Sequence, residues 1–117
     1  MIARKRLFAK GILIALVLCP QLSAANGFTS ADVLEWEQSA QDSYFNTSVG
    51  MVAVVGTQTN FPENIVECLN AWYWPNGSVN ADSNASIREA MERFPTLHPQ
   101  AIVLAVIERE CGSFKRP

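Results

Sequence analysis

The sequence predicts an all-α protein: a small compact bundle of about five short helices stapled by one disulfide. Three observations predict it. Apolar residues recur at helical rather than alternating spacing, as with Ile65, Cys68, Leu69 and Trp72 at i, i+3, i+4 and i+7. Pro62, Pro75, Pro95 and Pro99 stand at the starts and stops of the periodic stretches and not inside them. Cys68 and Cys111 fall in a segment too short to build a large core, which is where a covalent staple has most effect.

The chain begins with "MIARKRLFAKGILIALVLCPQLSAAN". Arg4, Lys5, Arg6 and Lys10 precede the apolar run Gly11–Leu18, and Ser23, Ala24 and Ala25 follow it. A charged region, a short apolar region and small residues are the three parts of a secretory signal peptide. The apolar run is shorter than the roughly 20 residues a bilayer span requires. Residues 1–25 are therefore expected to be a leader cleaved near Ala25, which places residues 26–117, a single domain, in the periplasm. Cys19, between Leu18 and Pro20, fits a lipoprotein signal poorly.

Without its leader the chain keeps five basic residues against all eleven acidic ones, a net charge of −6. No basic stripe is left to neutralise phosphates, so nucleic acid is not an expected partner. Acidity would favour a basic partner, although solubility alone accounts for it.

The first helix is capped by Thr29 or Ser30, with Asp32 placed as in a capping box, and is expected to run to about Ser39. A second helix starting at Asp42 or Ser43 covers "YFNTSVGMVAVVGTQ", and its broad apolar surface predicts burial. Gly50 and Gly56 each weaken a helix by about 1 kcal/mol relative to Ala, so they are read as points of close helix approach. Pro62 opens a third helix whose stripe holds Cys68 and Trp72 against the core. "NGSVNADSN" is a polar loop. Ser83 or Ser86 caps a fourth helix with Ile87, Met91 and Phe94 inward, and Pro95 ends it. Seven apolar residues, Ala101–Ile107, fit a buried strand or a helix. Pro99 at the start, Glu108, Arg109 and Glu110 after the run, and Gly112 at a C-cap position favour the helix. This all-round apolar helix, 99–111, is either central or an interface for a homodimer.

His98 and Cys111 raise the question of a nucleophilic pair, which requires a thiolate beside an imidazole. Thirteen residues along one helix separate them by about 20 Å. Two cysteines in an exported domain are instead expected to pair, and a Cys68–Cys111 bridge closes a loop of about 44 residues, contributing roughly 4 kcal/mol. His98, before Pro99, is pushed out of the α region and suits a helix entry. One His and two paired Cys make no zinc set, and no acidic cluster suits calcium. Glu35 and Glu37, or Glu63 and Glu67 one turn apart, read as solvated faces before they read as acid–base pairs. With no phosphate loop and no nucleophile elbow, neither a cofactor nor catalysis is expected. The N-x-S/T matches at Asn46, Asn76 and Asn84 carry little weight beside a bacterial-looking leader.

The most interesting surface candidate is "WYW", Trp72, Tyr73 and Trp74, before a Pro-Asn-Gly turn. Trp72 is assigned to the core, whereas Tyr73, Trp74 and Asn76 in the 75–83 segment are the candidate protein-binding residues. Covering the end of a small core is the competing reading of these aromatics.

The order "NGFTSADVLEWEQS… SVGMVAVV… ECLN… SIREAMERFPTLHPQAIVLAVIEREC" resembles the Rap1a/Tai family, periplasmic immunity proteins against type VI secretion amidase effectors. Cys68 and Cys111 match that family's third and last cysteines, Gly50 its motif glycine, and His98-Pro99-Gln100-Ala101 its junction between helices. Glu37 and Ser48 stand where the first two cysteines belong, as expected if one whole disulfide is dispensed with; Val54 replaces a second glycine. The resemblance implies a compact helical domain, often a homodimer, that binds an incoming amidase and blocks its peptidoglycan-cleaving cleft. It transfers no binding residues, because partner-contacting surfaces vary with the toxin. A small periplasmic chaperone or protein-binding module is the alternative, and a cell-wall hydrolase using Cys68 or Glu63 a more distant one.

Overall fold

The computed structural model describes residues 27–115. The expected leader, its cleavage site and Cys19 lie outside the described residues. Five helices follow one another: α1 (Ser30–Leu34), α2 (Gln38–Gln58), α3 (Glu63–Tyr73), α4 (Ala81–Arg93) and α5 (Pro99–Cys111), with a 3-10 turn at Pro75–Gly77. No strand occurs among the described residues, and none of their helices is long and apolar enough to cross a membrane.

Each boundary has a hydrogen-bonding cause. The Asp32 carboxylate accepts the Thr29 N–H at 2.9 Å, the reciprocal half of a capping box. The orphan N–H groups that open α1 donate across the fold: Ser30 to the Leu97 carbonyl at 2.8 Å and Ala31 to that of Pro95 at 2.9 Å. α1 stops at Leu34 and not near Ser39, and α2 begins at Gln38 rather than Asp42. The cause is Gln41, whose amide Nε2 donates to the carbonyls of Leu34 (3.1 Å) and Trp36 (2.9 Å) and so stabilises an elbow between the two helices.

The α3–α4 corner is built the same way. Asn80, and not Ser83 or Ser86, caps α4 by accepting the Asp82 N–H at 2.9 Å. The carbonyls that end α3 receive donors from the start of α4. Trp72 accepts from Ser83 Oγ at 2.8 Å and Tyr73 from the Asn80 N–H at 2.8 Å. Ser83 is thereby buried inside α4. At α5, His98 Nδ1 accepts the Gln100 N–H at 3.1 Å, Pro99 follows, and Gly112 ends the helix with φ 103°. His98 is a helix cap, and Cys111, thirteen residues on, is held in a disulfide with Cys68.

The core is one cluster drawn from all five helices: Val33, then Phe45, Val49 and Val52, then Leu69 and Tyr73, then Ile87 and Met91, then Ile102, Val103, Val106 and Ile107. α5 is central on one side only: Ala101, Leu104 and Ala105 face solvent. α2 is less buried than its composition predicts, since Met51, Val54 and Val55 are 59%, 56% and 40% exposed. Phe94, expected inside, is 53% exposed because Pro95 and Leu97 are tied to α1 and turn the end of α4 outward. Gly56 is a true close approach: a Cβ there would lie 2.9 Å from both Phe61 and Val66. Gly50 is not, its nearest neighbour being Trp74 at 4.0 Å.

Cys68 and Cys111 are disulfide-bonded, with their Cα atoms 5.6 Å apart, so the end of α5 is fastened to the middle of α3. Glu37 and Ser48 correct the reading of a second bridge lost as a pair. Glu37 stands at the N-cap position of α2 and Ser48 lies within the helix, eleven residues on. At 1.5 Å per residue they stand about 16 Å apart, far beyond disulfide reach.

Candidate functional site

Two helices place polar side chains toward each other at i, i+4 spacing. α2 contributes Asp42 and Asn46, with Ser39 and Ser43 beside them, and α4 contributes Asn84 and Arg88. Between them runs a groove of about 490 Å³, lined also by Val79 and Ala81. Its centre is an ion pair: Arg88 donates to Asp42 Oδ1 at 2.6 Å and, through Nε, to Gln41 Oε1 at 2.7 Å. The guanidinium carbon lies 5.6 Å from the centroid of the Phe45 ring, an additional cation–π contact. Arg88 and Asp42 are partly exposed, so their charges are screened and the pair is held more by its geometry than by Coulomb energy.

Behind the groove the buried Tyr73 hydroxyl donates to Oδ1 of Asn84, one of the lining residues. Burial, reinforced by the nearby Asp42 carboxylate, pushes the Tyr73 phenol well above its usual range, while the bond to Asn84 partly opposes the rise. The phenol is neutral and a donor throughout the physiological range. Trp74 Nε1 donates to Oδ1 of the lining residue Asn46 at 3.1 Å.

These positions revise the candidate binding residues. Tyr73 is fully buried and cannot be a surface anchor. The inward stripe of α3 is Ile65, Leu69 and Tyr73, while Trp72 is only half-buried. One residue is 100° on a helix, and the choice between positions 72 and 73 follows from tertiary partners. Asn84 satisfies the Tyr73 hydroxyl inside, and the disulfide holds Cys68 at the perimeter of the core and not within it. Trp74 is half-buried and bonded to the lining residue Asn46. Asn76 is exposed with φ 59° in the left-handed region and does not line the groove. Asp42, Asn46, Asn84 and Arg88 escaped the sequence reading. Their i, i+4 spacing is visible in each helix, but nothing in the sequence tells which helices face each other.

Glu63 and Glu67 are exposed beside a second depression at the α2–α3 joint, floored by Phe61 and Val66. Glu35 and Glu37 are exposed as well. Among the described residues no three His, Cys, Asp or Glu side chains converge as a metal site would need. What the α2–α4 groove offers is hydrogen bonding: amides, hydroxyls and one ion pair on rigid helices, with an indole beside them. Comparison of the chain with family models, with curated proteins and with solved structures gives no match.

Proposed function

We propose that this chain is an exported immunity protein of the Rap1a/Tai kind, which binds a peptidoglycan amidase effector of a type VI secretion system and occludes its cleft. The single observation that carries the reading is the polar α2–α4 groove, whose lining residue Asn46 accepts a hydrogen bond from the half-buried Trp74 indole. Interface anchors have this character: a rigid indole surrounded by hydrogen-bonding groups already held in place. The resemblance around Cys68, His98-Pro99 and Cys111 supplies the identity of the partner, and the leader supplies the periplasm as the place of action. A homodimer through Ala101, Leu104 and Ala105 on the open side of α5 belongs to the same reading, and sedimentation velocity tests it.

The direct experiment pairs the full chain with an amidase encoded beside it. The expected results are co-purification and rescue of cells that express the amidase in the periplasm. Neither capture nor rescue would sink the reading. A second reading, a small periplasmic chaperone or binding module, rests on the exposed apolar residues Met51, Val54, Phe94 and Leu97. It expects suppression of aggregation of several unrelated unfolded clients, with no preference for one toxin.

A further inference from the structure

We propose that the Asn76–Gly77 peptide is a site of spontaneous covalent modification, at which the Asn76 carboxamide becomes a carboxylate through a cyclic imide. Asn76 is the only asparagine among the described residues that glycine follows; Asn46, Asn60, Asn64, Asn70, Asn80 and Asn84 precede Thr, Phe, Ile, Ala, Ala and Ala. A side chain on the following residue shields the backbone nitrogen that must attack. Gly77 has none, and nothing lies within 4 Å of where a Cβ would stand. Asn76 itself is exposed, and among the described residues its carboxamide has no hydrogen-bond partner. The other amides are held: Asn46 by Trp74, Asn80 as a helix cap and Asn84 by Tyr73. Asn64 and Asn70 lie within α3.

The chemistry needs only water. The Gly77 nitrogen, on losing its proton, attacks Asn76 Cγ and forms the new N–Cγ bond of a five-membered imide. The C–N bond of the carboxamide breaks, and the nitrogen leaves as ammonia carrying the displaced proton. Water then adds to either imide carbonyl and opens the ring to aspartate or to the β-linked isoaspartate. Nothing is oxidised or reduced. The opposing feature is the hydrogen bond from the Gly77 N–H to the Trp74 carbonyl at 3.0 Å, which must open first. It belongs to a three-residue 3-10 turn on the surface, at the low end of the local-opening scale, and Asn76 already sits outside the helical region. Because the nitrogen must be deprotonated, the rate rises with pH.

Either product adds a negative charge two residues from Trp74, and isoaspartate also adds one backbone atom to the turn that follows it. A resulting change in partner affinity would rest on the function proposed above; the modification itself does not, and mass is read without any partner.

The test incubates the full chain, disulfide intact, at mildly acid and mildly alkaline pH, followed by reduction and peptide mapping with fragment spectra. The expected result is a gain of one dalton located on Asn76. It should be faster at alkaline pH, ahead of Asn46, Asn70 and Asn84, and missing at position 76 in Asn76→Gln. Retention of Asn76 while those helix asparagines convert would overturn the proposal, as would a rate that does not rise with pH.

Discussion

Arg88 donates from Nε to Gln41 Oε1 at 2.7 Å, while the other end of the same Gln41 amide serves the carbonyls of Leu34 and Trp36. One buried glutamine thus joins α4 to the elbow between α1 and α2, with its amide nitrogen donating twice and its oxygen accepting from Arg88. The elbow is a tertiary product: without that amide, the last carbonyls of α1 would need water or a longer helix.

Gln41→Leu therefore leaves two carbonyls and part of a guanidinium unpaired in partly buried surroundings. The expected loss is about 1–3 kcal/mol in urea unfolding, with slope unchanged. Arg88→Lys should recover part of what Arg88→Ala loses, because a lysine can reach one acceptor but cannot span Gln41 and Asp42 as a planar fork does. Equal stability of wild type and Gln41→Leu would show that the elbow does not depend on this amide.

The two glycines of α2 make opposite predictions. A Cβ at Gly56 meets Phe61 and Val66 at 2.9 Å, so Gly56→Ala is expected to cost about 1–3 kcal/mol through overpacking, exceeding its helix-propensity gain. Gly50→Ala meets only Trp74 at 4.0 Å and should be neutral or stabilising by up to about 1 kcal/mol. Thermal midpoints of the two variants check the pair, and equal shifts would contradict the packing assigned here.

The Cys68–Cys111 bridge should leave no titratable thiol among the described residues. Its reduction, or Cys68→Ser with Cys111→Ser, is expected to lower stability by roughly 4 kcal/mol in the chain-entropy model. Thiol titration before and after reduction, followed by denaturant unfolding, measures both quantities. Two free thiols in the native protein would reopen the nucleophile reading of Cys68.

Tyr73 predicts an alkaline weakness. Its folded pKa lies above that of an exposed phenol, so the unfolded chain releases the proton first as pH rises. The stability contributed by the neutral, hydrogen-bonded phenol is fully present below about pH 10 and is lost progressively above it. Tyr44, whose phenol is raised by burial against an opposing bond to Ser48, adds to the same direction. Tyr73→Phe should flatten the alkaline slope. At neutral pH it should cost about 1–3 kcal/mol, because Asn84 Oδ1 loses its donor. Unfolding free energies measured across the alkaline range decide this.

Much of this architecture is legible in residue order. The helical class, the number of helices, the entry of α5 at His98-Pro99, its end at Gly112 and the Cys68–Cys111 pair all follow from local signals: spacing, proline and glycine placement, and cysteine count. These effects act within a turn or two, or, for the two cysteines among the described residues, leave a single pairing. The rest required partners distant in the chain. Tyr73 rather than Trp72 turns inward because Asn84 meets its hydroxyl, and α1 ends early because Gln41 is held by Arg88. Asp42, Asn46, Asn84 and Arg88 form one groove only because α2 and α4 lie side by side. Backbone periodicity states which residues share a face of their own helix. Which faces meet depends on packing and hydrogen bonding summed over the whole core, and only the folded chain resolves that sum.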